Sequence, residues 1–224
     1  MKKKKFSRKP IPLNIVFLGI QGSGKGTQAG LLAKRLRIPI VPVGDLYRTE
    51  IARGTPLGKR AQSYISRGRL APNVLTNELV RKHLQTIPHK RGVILDGYPR
   101  NLVQARALSR ILQIRAAIHL EIPESMVMER LIGRRVCGKC GATYHIRWAR
   151  PKRSGVCDRC GGGLRRRADD TPEAIRKRIA LFRTGTRPII DYYGKGGALL
   201  AVDGAHSIPV VHRELIHRLK GAWV

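Results

Sequence analysis

Three observations predict an α/β fold built on a five-stranded parallel sheet. Short apolar runs recur along the chain as "NIVFLG", "IPIVPVG", "GVILDG", "AAIHLEI" and "LLAVDG". Segments of helical period separate them, and a glycine-rich loop joins the first run to the first helix. Runs that are apolar at nearly every position suit strands buried on both faces, the situation of a parallel sheet between two helical layers.

The first strand is expected at 14–19 and the first helix at 25–36, through Leu31, Leu32 and Leu36. The second strand is limited by its prolines. Amphipathic helices follow near 44–53, 57–67 and 73–86, then a buried strand at 92–97 that ends in an acid. A helix over 101–113 leads to a strand at 116–122 and a helix from about 124 to 134. Residues 136–168 break the rhythm: rich in Cys, Gly and Arg and poor in aliphatics, they cannot bury a core of their own. A helix beginning near Thr171, a fifth strand at 199–204 and a helix near 207–220 close the pattern. No internal repeat interrupts it.

The 224 residues suffice for one domain with an inserted subdomain. Hydrophobic residues make up 42% and charged residues 26%, an ordinary globular balance, but 45 Lys and Arg face 14 Asp and Glu, a net charge of +31. That surplus attracts polyanions such as nucleotides and nucleic acid, although its spread along the chain equally describes a solvated basic surface. No run approaches the roughly 18 apolar residues of a membrane span. The start, "MKKKKFSRKPIPLNIVFLGI", has the basic head and apolar stretch of a signal peptide. A glycine loop follows instead of a cleavage site, so the stretch reads as the first strand behind a basic arm at 1–12. A cytoplasmic setting is expected.

"GIQGSGKG" (19–26) fits G-x-x-x-x-G-K, the phosphate loop or P-loop. Gly22, Gly24 and Gly26 let backbone N–H groups curl around a phosphate, with Ser23 between them. The helix N-terminus adds its dipole, and Lys25 reaches the outer phosphates. Gly26 stands where the strict motif has Ser or Thr, and Thr27 follows it. A nucleoside triphosphate is the expected ligand. "VILDGYPR" places Asp96 at the carboxyl end of a strand, where ligands bind in open α/β sheets and an acid can orient Mg²⁺ through water. A cap or ion-pair role competes equally for that acid. Arg100 lies four residues on, beside the same crevice. Arg130 and Arg134 are read as four apart on one helical face entering the insertion, Arg167 leaves it, and Arg178 lies on the next helix. Arginines at both edges of a flap can close over a phosphate chain, where transfer depends on positioning and charge neutralisation.

"CGKC" and "CDRC" place Cys137, Cys140, Cys157 and Cys160 as C-x₂-C-x₁₆-C-x₂-C. This is the spacing of a tetrahedral four-thiolate zinc site, with iron the competing ion. Disulfides suit a cytoplasmic chain poorly. The metal would be structural, since four thiolates leave no open position.

Together "GSGKGTQ", "VGDLYR", "LDGYPRNLVQA", "ERLIGRRVCGKCGATYH", "GVCDRCGGGLRRRADDTPEAIRKRI" and "VDG" resemble the adenylate kinases, in their long-lid, zinc-containing bacterial form. The resemblance runs from about Leu13 to the C-terminus. It implies a P-loop three-layer fold with core segments 13–42, 73–135 and 169–224, a helical region binding the nucleoside monophosphate (NMP) at 43–72, and a zinc-stabilised lid at 136–168. It implies the reaction ATP + AMP ⇌ 2 ADP with Mg²⁺, by a monomer. ATP would be held by Gly22 through Thr27 with Arg130, which packs on the adenine and ribose, and Arg134. Arg134, Arg167 and Arg178 match the lid-side phosphate arginines. AMP would meet Val43, Arg48, Gly97, Arg100, Arg167, Arg178 and Gln104, the last reading adenine. Asp96 matches the acid that organises Mg²⁺, and Asp169 and Asp170 match acids near the lid hinge.

Three positions depart from the pattern. Gln21 replaces a common Pro, Val43 replaces a hydroxyl residue near the acceptor base, and Asn101 resembles the uridylate/cytidylate kinase branch. A pyrimidine NMP kinase is therefore one alternative. A nucleic-acid-binding zinc-ribbon P-loop ATPase is the other, with the +31 charge as its footprint.

Overall fold

The computed structural model describes residues 11–67, 69–167 and 170–222. Residues 1–10 of the expected basic arm, and Asp169, lie outside the described residues. Along the chain run β1 (Ile15–Leu18), α1 (Lys25–Leu36), β2 (Ile40–Pro42), α2 (Val43–Ala52), α3 (Pro56–Ile65), α4 (Asn73–Thr86), β3 (Ile94–Asp96), α5 (Leu102–Ser109), β4 (Ala116–Glu121) and α6 (Glu124–Ile132). Then come β5 (Arg134–Cys137), β6 (Thr143–His145), β7 (Leu164–Arg165), α7 (Pro172–Leu181), α8 (Arg187–Lys195), β8 (Leu199–Asp203) and α9 (Ile208–Ala222).

The central sheet has the order β2-β3-β1-β4-β8, and every pair is parallel. Side chains alternate across β1, which splits the core in two. Val16 and Leu18 join Leu79, Val80, Leu108 and Ile189 on one face. Ile15 and Phe17 join Leu32, Val211, Leu215 and Leu219 on the other. All four β1 side chains are fully buried, so each contributes roughly 1.5–3 kcal/mol of hydrophobic stabilisation. Because β1 lies between β3 and β4, the crevice at its carboxyl end is the topological switch point where α/β sheets bind ligands.

Three helices differ from the pattern expected of the sequence. α6 stops at Ile132, and Arg134 opens β5, so Arg130 and Arg134 do not share a helical face. Gly133 sits between them because a Cβ there would fall 2.2 Å from His145 Nε2, at the base of the insertion. The long helix from Thr171 is α7, a π-helical turn over Phe182–Thr186, and α8. Pro188 has no N–H and its ring crowds the carbonyl four residues back, so regular winding fails there. The Arg187 N–H bonds Phe182 O instead, and the turn widens. α5 also ends early, at Ser109.

The insertion folds as a separate antiparallel sheet, β6-β5-β7. Among the described residues its apolar cluster is Cys137, Ala142, Tyr144 and Cys157, flanked by Cys160 and Leu164. Among the described residues no helix is long and apolar enough to cross a membrane.

Candidate active site

The loop between β1 and α1 holds Gly22 at φ 88° and Gly24 at φ 94°, left-handed values that strain any side chain. Lys25 begins α1, so the loop runs directly into a helix end with unsatisfied N–H groups. A Cβ on Gly26 would lie 3.1 Å from Asp96 Oδ2, a tight approach at the position where the strict motif has a hydroxyl residue. Thr27 is half-buried in the first turn of α1. Ser23 is 2% exposed, and its hydroxyl has no partner among the described residues. A buried hydroxyl of this kind is a donor available to an anionic oxygen.

Lys25 Nζ donates to the Ile20 carbonyl at 2.8 Å. Burial draws its pKa down to about 8, Arg100 and Arg134 push the same way, and Asp96 opposes them. Asp96 closes β3 beside it. Burial raises its carboxyl above the usual range, against the pull of Lys25, Arg100 and Arg167. Asp96, Arg100 and Arg134 thus act on Lys25, and Lys25, Arg100, Arg167 and Asp45 act on Asp96, in a single crevice where cations outnumber carboxylates. Such a place favours a polyanion.

Arg134 forms a bidentate pair with Asp170, at 2.8 Å from Nε and 2.5 Å from Nη2. Arg178 approaches the same carboxylate at 3.5 Å, and Arg166 donates to the Asp170 carbonyl at 2.6 Å. Asp170 is fully buried; its carboxylate joins the strand entering the insertion to α7, and its carbonyl holds the segment leaving the insertion through Arg166. The sequence marked Asp170 only as an acid near a hinge; its partners were not legible. Arg130 donates to the carbonyls of Gly204 at 2.9 Å, Ala205 at 3.1 Å and Gly22 at 3.4 Å, and lies 5.7 Å from the Trp148 ring centre. It therefore braces the phosphate loop against the β8–α9 loop.

On the other side of the crevice, Arg48 pairs with Asp45 on its own helix. Arg100 Nε donates to the Gly97 carbonyl at 2.8 Å, and Gly97, at φ 78°, turns the chain there. Gln104 is buried, with its Oε1 accepting the Arg100 N–H at 2.8 Å and its Nε2 donating to Asn73 Oδ1 at 3.0 Å. Val43 is buried in the core with Leu18, Val41 and Tyr47.

The four cysteine Sγ atoms lie within 4.8 Å of one another, with Cys137–Cys160 and Cys140–Cys157 each at 3.5 Å. A tetrahedral ion with bonds of about 2.3 Å needs sulfur separations of about 3.8 Å, which this cluster nearly meets. The N–H groups of Lys139 and Cys140 point at Cys137 Sγ at 3.4 and 3.5 Å, and a Cβ on Gly162 would fall 2.9 Å from the same sulfur. The residues fit one four-coordinate metal ion.

Comparison with known proteins decides the family. The family model described as adenylate kinase matches residues 17–198. The chain is 45% identical over 216 residues to an adenylate kinase of Moorella thermoacetica, covering 94% of this chain and 100% of that one. It is 45% identical over 197 residues to an adenylate kinase of Clostridium tetani, with 86% and 91% covered, and 42% identical over 208 residues to one of Archaeoglobus fulgidus, with 91% and 96% covered. The chain belongs to the adenylate kinase family.

For an adenylate kinase, the three departures noted in the sequence now have local descriptions. Gln21 sits in the turn before Gly22, whose Cβ position is walled by Leu131 at 3.3 Å. Val43 begins α2 and packs inward. Asn101 caps α5, its side chain accepting the Gln104 N–H at 3.0 Å. Asn73 was not singled out in the sequence, where Pro-Asn before an apolar periodic run signals only a helix start.

Proposed function

We infer that the chain transfers the γ-phosphoryl group of ATP reversibly to AMP, giving two ADP. The observation that carries this reading is the crevice at the end of β1, where Lys25, Arg100 and Arg167 act on Asp96 and Arg134 acts on Lys25, in a chain of this family. ATP lies with its phosphates in the loop from Gly22 to Thr27, held by Lys25 and Arg134, with Arg130 against the nucleoside. AMP lies on the α2 side, its phosphate held by Arg48, Arg100, Arg167 and Arg178, with Gly97 and Val43 lining the site and Gln104 at the base. The attacking phosphate oxygen is already anionic, so no general base is required. The side chains position the two nucleotides and neutralise charge that develops on the transferred oxygens. The lid over 136–168 closes on the core (13–42, 73–135 and 169–224) and the NMP-binding region (43–72), and keeps water from the triphosphate.

Asp96 suits Mg²⁺: it is a hard oxygen donor, and the bare Gly26 leaves its carboxylate room at the start of α1. When bound with ATP, Mg²⁺ would supply charge neutralisation on the phosphate oxygens. Zinc is the ion assigned to the four cysteines, as a replacement for the apolar core that the lid lacks. A monomer in the cytoplasm completes the reading.

Asn101 lends no support to a pyrimidine acceptor, because its amide is engaged at the start of α5. The exposed lid cations Lys139, Arg150, Lys152, Arg153 and Arg159 support a nonspecific attraction for nucleic acid beside the kinase activity. Absence of RNA retention at low salt would reject that addition. The kinase reading itself is tested by Lys25→Ala, which removes phosphate-loop charge at an unstrained helix position. Transfer should fall below about one-hundredth while melting and metal content hold, and near-wild-type turnover would refute the assignment.

A further inference from the structure

Three carboxamides meet where α4 and α5 begin. Asn101 Oδ1 accepts the backbone N–H of Gln104 at 3.0 Å. A backbone donor admits no choice, so the Asn101 oxygen faces it and Nδ2 is left to donate to Asn73 Oδ1, at 2.8 Å. With its oxygen so directed, Asn73 also accepts Gln104 Nε2, at 3.0 Å. At the far end the Arg100 backbone N–H donates to Gln104 Oε1 at 2.8 Å. Two backbone N–H groups therefore set the orientation of all three amides. Turning any one of them puts donor against donor or acceptor against acceptor. Gln104 is 1% exposed, so water does not compensate a turned amide.

An isolated glutamine can turn its amide to match either of two base edges, and this one is held. One Nε2 proton and one Oε1 lone pair remain for a ligand. That pair complements an edge with an amino donor beside a ring-nitrogen acceptor, the Watson–Crick edge of adenine. It opposes the inverse edge of hypoxanthine, guanine or uracil, which carries a carbonyl acceptor beside a ring N–H. Cytosine shares the adenine pattern, so the amide alone does not reject it. We propose that Asn73 is a specificity-determining positioning residue, which fixes the Gln104 amide in the orientation that accepts adenine and refuses the inverse edge. This rests on the reading of AMP as acceptor and of Gln104 as the residue that meets its base.

The test compares kcat/KM for AMP and IMP, two purine nucleotides of equal size whose edges are inverted. Asn73→Ala removes one of the two constraints on Gln104, and the AMP-to-IMP ratio should fall roughly tenfold, mainly through the acceptor KM, with the KM for ATP unchanged. Asn73→Asp keeps an oxygen that accepts both N–H groups and should keep the ratio. Asn101→Asp presents oxygen to Asn73 and drives the relay toward the opposite sense, so it should also lower the ratio. This gives a readout should Asn73→Ala fail to fold. An unchanged ratio in a folded Asn73→Ala or Asn101→Asp variant, or an Asn73→Asp ratio as low as that of Asn73→Ala, would overturn the proposal. Wild-type protein that does not use AMP would instead overturn the underlying reading, and the relay's role with it.

Discussion

Replacing Asp170 by asparagine removes one negative charge where three chain segments converge. Arg134 then loses its bidentate charge-assisted bonds of 2.8 and 2.5 Å, and Arg178 loses a carboxylate at 3.5 Å. Arg134 is 12% exposed, Arg178 15%, and Asp170 not at all, so solvent offers little compensation. Deleting one partner of a buried ion pair costs about 3–5 kcal/mol. Asparagine retains one acceptor oxygen, and the bond from Arg166 goes to the backbone carbonyl, which the substitution leaves in place. The lower end, about 3 kcal/mol, is therefore expected. For a chain of this size that corresponds to a fall in Tm of roughly 6–12 °C, measured by calorimetry at neutral pH with metal content checked. Saturating nucleotide should recover part of the loss, because its phosphates give Arg134 and Arg178 anionic partners again. A Tm within about 1 °C of wild type would refute the view that Asp170 is the electrostatic anchor of the lid base.

Two further outcomes follow from the same structure. Lys25 is held near a pKa of about 8 in the free protein, chiefly by burial, and a bound triphosphate raises that value. Nucleotide binding should therefore take up a proton above pH 8. Affinity should be level below that pH and weaken by up to about tenfold per unit above it, which calorimetry in buffers of different ionisation enthalpy detects. Affinity unchanged to pH 9.5 would contradict it. Chelation of the metal, or Cys157→Ser, should release the lid, half of whose small apolar cluster is made of the cysteines themselves. Amide exchange across 134–167 should then rise as a unit while β1 and β4 stay protected. Uniform protection after the metal is removed would argue against a structural ion.

The central sheet was legible because its strands are apolar almost throughout, which leaves few other ways to fold them. The glycine loop before α1 and the clustering of the four cysteines were legible because each is a local pattern, with its residues a few positions apart. Arg134 was misplaced on a helix because "MERLIGRR" keeps helical period past its real end. The reason for that end, the His145 ring against Gly133, comes from a strand formed later in the chain. The π-helical turn depends on Pro188, whose effect on a long helix is a kink or widening that periodicity does not specify. The least legible features were pairings across the fold. Asn73 meets Asn101 and Gln104 at separations of 28 and 31 residues, and Arg134 meets Asp170 at 36. No local pattern announces such partners.

The most direct test of the kinase reading is a coupled assay with Mg-ATP and each of AMP, IMP, GMP, UMP, CMP and dAMP as acceptor, run on metal-replete protein. Two ADP formed per ATP with AMP, and the highest kcat/KM for AMP, are the expected result. A higher kcat/KM for UMP or CMP would mean a pyrimidine acceptor under an adenylate kinase lid. No transfer to any nucleotide would contradict the kinase reading and bring polyanion binding by the basic surface to the front.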